Sequence, residues 1–541
     1  MSSPGPPGLA GTTTLERRAL AFALGGVLAT GMALGGWWAA RVPIFGAPDE
    51  DVHFDYVAHL LTAGRPILAS ERPVPEIGGS DPFVPCTHPW TLHLRGAGAT
   101  KETRFHPERA VPAGYGSRDW FAAVDRTAPS VSRPPARNPW SVTEYPVGYY
   151  ALAAVWAAAW SHVFPGLVGT FFSVRALSVV LLGVGAFGWW LVLRRIRVPP
   201  WRALGILAVT CWLPLTSFVS SAVQPDNLSF AAVPWCLWLA MRAAALSPSA
   251  RRLAAAGAGL AGILLVKYHV FLAVALAVSF LLAEAHSRWR PRRWVAWGLL
   301  LLGPLLLAAE AQLWISSGGG SVLRNLTATA LRADLLAQAG SRAGYAVRVF
   351  RSMLWNFFST RGVTFQTLWS YFGWVDTRVV IVSEAVHEVV LLGLQAGMVV
   401  MLALLAMRWQ QALTTCWRAW SKGRPRRAIR LLARNPVFNA NLFFAGLLSA
   451  LFLVTNNGFA AQGRHWFAFL PAILWATVEQ APRALASPRA ARALRRCVLG
   501  VLVAYAVVAA WSAPRSIEWR YYRAGRPVVA YDPPLETAPG P

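Results

Sequence analysis

What most restricts this chain is a series of apolar runs near the length that crosses a bilayer. They are Ala19–Ala40, Thr170–Leu193, Ala203–Ala222, Leu228–Ala245, Leu253–Val266, Val270–Ala285, Trp294–Leu313, Val379–Met407, Ala440–Val454, Trp466–Val478 and Val498–Trp511. An α-helix advances about 1.5 Å per residue and the hydrocarbon core is about 30 Å thick, so a span takes about 20 apolar residues. Several runs are shorter, which leaves their ends soft. Two segments read either way: Pro146–Phe164 spans or lies at the interface, and Leu253–Ala285 is one long helix or two short ones. With 55% hydrophobic and only 14% charged residues, a soluble globule of this length is excluded. The expected fold is an all-α polytopic membrane protein.

Charge decides the topology. The net charge is +27, but the basic residues lie on no single amphipathic stripe and in no RNA-binding motif, so no nucleic-acid partner is expected. They gather in short clusters between the apolar runs, which is how the positive-inside rule orients a membrane protein. Suppose Pro146–Phe164 stays out of the bilayer and Leu253–Ala285 turns at Lys267-Tyr268-His269. Then Arg194/Arg195/Arg197/Arg202, Arg242/Arg251/Arg252, Arg288/Arg290/Arg292/Arg293, the run Arg408–Arg434 and Arg483–Arg496 all fall on the cytoplasmic side. The opposite choice sends the first two clusters outside. The preferred arrangement has about eleven spans. It gives a cytoplasmic N-terminus (1–18), a first span (19–40), an extracytoplasmic loop with juxtamembrane helices (41–169) and a transmembrane core (170–313). A second extracytoplasmic segment (314–378), C-terminal spans (379–511) and an extracytoplasmic tail (512–541) complete it.

The five cysteines show no CxxC or Cys/His zinc spacing, so neither a disulfide framework nor a structural zinc is expected. Cys416 is placed in a basic loop. Arg17 and Arg18 before Ala19–Ala40 resemble a signal-peptide flank, but the apolar core is longer than an h-region, which favours an uncleaved anchor. Asn325-Leu326-Thr327 fits a glycosylation sequon on a short match. The ends Met1–Thr14 and Pro533–Pro541 are of low complexity and expected to be unstructured.

The long loop Arg41–Tyr145 carries half of the chain's Asp and Glu residues, and loops of that size are usually functional. Its first segment is Pro48-Asp49-Glu50-Asp51-Val52-His53-Phe54. Acids after Pro48 read as a helix N-terminus, with Asp49 and His53 one turn apart on one face. The plain reading is a capped surface helix. The sharper one is a general base at the membrane surface, with His53 tuning it or binding an anion. Glu144-Tyr145-Pro146-Val147-Gly148-Tyr149-Tyr150 opens an apolar helix and doubles as an interfacial anchor. Gln224-Pro225-Asp226-Asn227 is a turn signal. Lys267-Tyr268-His269 puts cations in an apolar stretch, either functional or with Lys267 snorkelling. Trp369 to Asp376, including Trp374, is aromatic and ends in an acid. Gln462-Gly463-Arg464-His465-Trp466 sets an arginine at a helix mouth, and arginine suits phosphate. All of these share the expected outer face, over an apolar bundle, which suits a lipid-linked phosphate substrate.

At these residues the sequence resembles the GT-C superfamily of membrane glycosyltransferases, which includes protein O-mannosyltransferases, aminoarabinose transferases and mycobacterial arabinosyltransferases. The closest resemblance is to a branch of bacterial predicted membrane proteins of unassigned function. That branch shows Pro-Asp-Glu-x-x-His-Phe after the first helix (Pro48 to Phe54), Pro-x-x-Tyr-Tyr (Pro146 to Tyr150) and Pro-Asp-x-Leu (Pro225 to Leu228). It also shows Phe-Gly-Trp ending in an acid (Phe372 to Asp376) and Gly-Arg-aromatic (Gly463 to His465, with His where Tyr is more usual). The resemblance implies a GT-C-like bundle with a large first extracytoplasmic loop containing juxtamembrane helices, in a bacterial cytoplasmic membrane. It implies an inverting transfer of a sugar from a polyprenyl-phosphate donor to a glycan or lipid acceptor of the cell envelope. An acid of the first loop would be the base, which maps onto Asp49 or Glu50, with Asp49 favoured. Lys267, His269 and Arg464 would stabilise the departing phosphate. His53, Glu144, Tyr149, Asp226, Trp374 and Asp376 complete the candidate substrate site. No cofactor is expected, with the acidic motif open to a divalent cation. The rival reading is a transporter or flippase of lipid-linked saccharides, against which stands the lack of an inverted repeat.

Overall fold

A computed structural model of the protein describes residues 14–47, 49–66, 88–97, 110–112, 114–131, 146–245, 250–267, 270, 274, 307, 341, 344, 347, 363–369, 371–372, 377–378, 383–424, 427–428, 431 and 463–522. The expected runs become helices wherever they fall on these residues. Ala19–Ala40 lies inside α1 (Thr14–Arg41). The loop that follows carries α2 (Glu50–Ala63), α3 (Pro89–Ala97), α4 (Arg118–Arg126) and α5 (Gly148–Ala159). The bundle continues with α6 (Gly166–Arg195), α7 (Pro200–Trp212), α8 (Pro214–Ser220), α9 (Asp226–Ala245) and α10 (Ala250–Leu264). Then come α11 (Val363–Trp369), a two-residue antiparallel pairing of Tyr371–Phe372 with Thr377–Arg378, α12 (Glu384–Ser421), α13 (Leu470–Trp475) and α14 (Pro488–Ile517).

Among the described residues four helices are long and apolar enough to cross a membrane: α1, α6, α12 and the helix that begins at Pro488. The count reaches five if α7 and α8, bent by 63° at their break, form one span. That is fewer than the expected eleven or so. Leu228–Ala245 and Leu253–Val266 become α9 and α10, which are not among the five. Ala440–Val454, nearly all of Val270–Ala285 and Trp294–Leu313, and the low-complexity ends lie outside the described residues.

Proline accounts for most departures from the expected runs. Ala203–Ala222 is broken because Pro214 has no amide hydrogen and its ring excludes a helical Leu213. Leu213 is extended (φ −62°, ψ 139°) and Pro214 opens α8. Trp466–Val478 is likewise no single helix. It runs as a 3-10 segment (Gly463–Phe469), α13, a π segment (Ala476–Gln480) and a second 3-10 turn (Ala481–Ala484), with Pro471 and Pro482 at two of the joints. Arg202 at the start of α7 holds the π segment through Glu479, which is buried, at 2.7 Å. In α12 the apolar run Val379–Met407 continues without a break to Ser421. Cys416 therefore lies in a helix and is buried, not in a loop. No proline or glycine interrupts residues 398–421, and Ser383 caps the start by accepting from the Val386 amide. At 12 residues, α5 is about 18 Å long, well short of a hydrocarbon core.

Glycine lets α6 and α9 approach, since a Cβ at Gly185 would meet the Phe230 ring. The helices bury one large apolar core, and a second, smaller one lies between α2, α5 and the first half of α6. The two are joined to the end of α1 by an arginine. Arg175 sits in the apolar run of α6 and is fully buried, as is Glu50. Its Nε donates to Glu50 Oε1 at 2.8 Å and its Nη2 to Oε2 at 2.7 Å. The remaining hydrogens go to the carbonyls of Ala39 (2.8 Å), Val42 (2.6 Å) and Pro43 (2.8 Å). Ala39 belongs to the last turn of α1, whose carbonyls lack intrahelical partners, and Val42 and Pro43 belong to the link that follows it. Glu50 Oε1 also accepts the Val223 amide at 3.0 Å. One ion pair thus ties α1, α2, α6 and the turn before α9.

Breaking a buried pair from one side leaves an uncompensated charge, at a cost of about 3–5 kcal/mol. Arg175→Met should therefore lower the unfolding midpoint of the detergent-purified protein sharply. Adding Glu50→Gln to it should restore part of the loss, and strictly additive losses would show that the two residues are not coupled.

Candidate functional site

Asp49 precedes α2 and stands where a capping residue would. Its backbone is in the left-handed region (φ 60°, ψ 7°) and its side chain makes no cap hydrogen bond. Aspartate tolerates that conformation better than most residues because its short side chain bonds locally. Here the carboxylate points elsewhere. Arg464 Nη2 donates to Asp49 Oδ2 at 2.6 Å, across a sequence separation of 415 residues. The plain reading of Asp49 as a helix cap is not what the structure holds. The pair is open to solvent, with the Asp49 side chain 44% and Arg464 15% exposed.

One turn along α2, His53 is buried and its Nδ1 lies 2.8 Å from the Tyr150 hydroxyl of α5. Tyr150 packs against Tyr56 and Tyr149. The start of α5 is fixed by Gly148, whose amide donates to Leu265 O at 2.9 Å; a Cβ at Gly148 would collide with that carbonyl. Leu265 follows α10 and is two residues from Lys267. Lys267 Nζ bonds Asp226 Oδ1 at 2.5 Å, and both residues are buried. Lys267 therefore does not snorkel. All four charged groups act on His53: Asp49 and Asp226 favour its proton, Arg464 and Lys267 oppose it. Burial outweighs them and lowers His53 to about 4, so at neutral pH the ring is uncharged.

The acidic cluster divides three ways. Glu50, a candidate base in the sequence, has both oxygens engaged by Arg175 and the Val223 amide and is fully buried. That makes it a structural acid. Asp51 is buried 3.7 Å from Arg95 of α3. Only Asp49 of the three reaches solvent. Tyr149 is fully buried and serves to pack Tyr150. Pro48, Glu144, His269, Trp374 and Asp376 lie outside the described residues. So Asp49, His53, Asp226, Lys267 and Arg464 are brought together from four segments. No group of three or more His, Cys, Asp or Glu side chains able to hold a metal occurs among the described residues.

Arg175 was absent from the sequence candidates. Its signal was there: a charge inside an apolar run of spanning length needs a partner. The polar contacts that hold the loop were less visible. Asp55 accepts the His88 amide at 3.0 Å and Thr62 Oγ1 meets His88 Nε2 at 3.0 Å, which seats α3 on α2. Asp125 of α4 accepts the Val168 amide at 2.9 Å and so caps α6 from outside.

The family described as Predicted membrane protein (DUF2142) matches residues 32–416, well over half of the sequence. The chain belongs to that family. The match agrees with the resemblance to predicted membrane proteins of unassigned function, and it includes every residue of the site except Arg464. Neither a curated protein nor a solved structure matches.

Because the folded state takes up the His53 proton only near pH 4 and the unfolded chain near pH 6.5, acid favours unfolding. The contribution is fully present above about pH 6.5 and is lost as pH falls toward 4, over a range worth about 3 kcal/mol. His88, also lowered to about 4 by burial, acts with the same sign. His53→Gln should flatten, without abolishing, the fall in melting temperature between pH 6.5 and pH 4.5. An unchanged slope would place the titrating group elsewhere.

Proposed function

We propose that this protein is an inverting glycosyltransferase of the GT-C kind. It moves a sugar from a polyprenyl-phosphate donor to a cell-envelope acceptor at the outer face of a bacterial cytoplasmic membrane. The observation that carries the reading is the meeting of Asp49 with Arg464, beside His53 and the Lys267–Asp226 pair. Together they offer one solvent-facing carboxylate, a guanidinium suited to phosphate and a buried cation within the same field, in a chain whose α1, α6 and α12 are long and apolar enough to cross a membrane.

In the reaction Asp49 takes the proton of an acceptor hydroxyl as that oxygen attacks the anomeric carbon. The bond from that carbon to the phosphate oxygen breaks on the opposite side, and its electron pair leaves with polyprenyl phosphate. Arg464 and Lys267 offset the charge that develops on the leaving group. His53, neutral and held by Tyr150, adds a polar wall without adding charge.

Loss of a general base typically costs 10²–10⁴-fold. Asp49→Asn should lower sugar transfer in reconstituted membranes by about that factor while the protein still inserts and folds. The substrate pair is found first by comparing envelope glycans, by mass spectrometry, from cells with and without the gene. Full activity of Asp49→Asn would refute the assignment of the base. Saccharide movement across the membrane without any new glycosidic bond would replace the enzyme with a transporter.

A further inference from the structure

Asp49 is held in a state that opposes its proposed task. Its ion pair with Arg464 at 2.6 Å stabilises the carboxylate as an anion, and a stabilised anion draws a proton weakly. The contact also has a local cost. Asp49 adopts a left-handed backbone and makes no side-chain cap bond to α2. A backbone outlier kept at such a cost is a reason to look for function.

Charge balance shows what the pair is for. Asp49 and Asp226 are matched by Arg464 and Lys267, and His53 is neutral. The charges of these described residues therefore cancel before any substrate arrives. A phosphate entering among them finds no unmatched cation there unless one changes partner. Lys267 and Asp226 are buried, with side chains 5% and 8% exposed, and exchange there would strand a charge in the interior. Arg464 and Asp49, at 15% and 44% exposed, can separate with water present. A guanidinium also gains from the exchange, since a phosphate offers it two parallel hydrogen bonds.

We propose that the Arg464–Asp49 pair is a latch opened by the phosphate group of a lipid-linked substrate. The phosphate takes Arg464, the carboxylate loses that guanidinium, and Asp49 gains basicity only when the donor is seated. This inference rests on the reading that the donor is a lipid-linked phosphate. It adds that phosphate and Asp49 compete for one arginine. The competition makes a sign prediction that a merely structural ion pair does not: removing the carboxylate improves phosphate binding.

The test uses the full-length protein in lipid nanodiscs, with polyprenyl phosphate as one probe and inorganic phosphate as the other. Wild type should bind polyprenyl phosphate. Asp49→Asn should bind it about tenfold tighter, Arg464→Gln about tenfold weaker, and the double variant no better than Arg464→Gln, each shift corresponding to about 1.4 kcal/mol. Asp49→Ser stands in if the Asn variant melts early. If wild type binds and neither Asp49 variant binds tighter, the latch is refuted while the donor class stands. If no variant binds polyprenyl phosphate, the donor reading fails and the latch with it. If the ordering appears with inorganic phosphate alone, the lipid-linked substrate is excluded and this proposal falls.

Discussion

The placement of α2 against α1 and α6 depends on the bidentate contact between Arg175 and Glu50. Each is fully buried, and two bare charges in that setting would be strongly destabilising. They are tolerated because nothing is left unpaired: the guanidinium donates five hydrogen bonds and the carboxylate also takes a backbone amide. The five acceptors come from the end of α1, the link that follows it, and the first residue of α2. The contact therefore fixes where α1 stops and where α2 starts. That in turn decides where the residue before Glu50 can point.

Neighbouring acids meet opposite fates for this reason. Asp49 lies just outside α2 on a left-handed backbone, so its side chain does not follow that of Glu50. With Glu50 drawn inward by Arg175, Asp49 is turned toward the opening, where Arg464 meets it. Three of the ion pairs near α2 then form a series in exposure. Glu50–Arg175 is wholly buried, Asp226–Lys267 nearly so, and Asp49–Arg464 is open. Burial raises the penalty for separating charges, so of these three pairs the third is the least costly to open.

Much of this was legible in the residues. The runs of α1, α6 and α14 show in the sequence because a span's signal is local and cumulative. Charge placement then put Asp49, Asp226, Lys267 and Arg464 on one expected side. What it left open was contact. Asp49 was favoured over Glu50 although both are acids after a proline, and the partner that separates them, Arg175, lies 125 residues away. Trp466–Val478 looked like one span because hydropathy sums over prolines without registering the lost hydrogen bonds. The buried helices α9 and α10 were easily located but not easily classified, since an apolar helix reads alike in lipid and in a protein core.

By itself the sequence determined that the chain is a helical membrane protein, where most of its helices lie and which residue types are available for chemistry. These follow from side-chain transfer energies and backbone rules that act within one segment. Only the tertiary structure decided which acid is committed to the scaffold and which faces solvent, that Lys267 is buried against Asp226, and that Arg464 closes on Asp49. Those outcomes depend on distances between residues 41 to 415 positions apart in sequence. No pattern within a single segment encodes a distance of that kind.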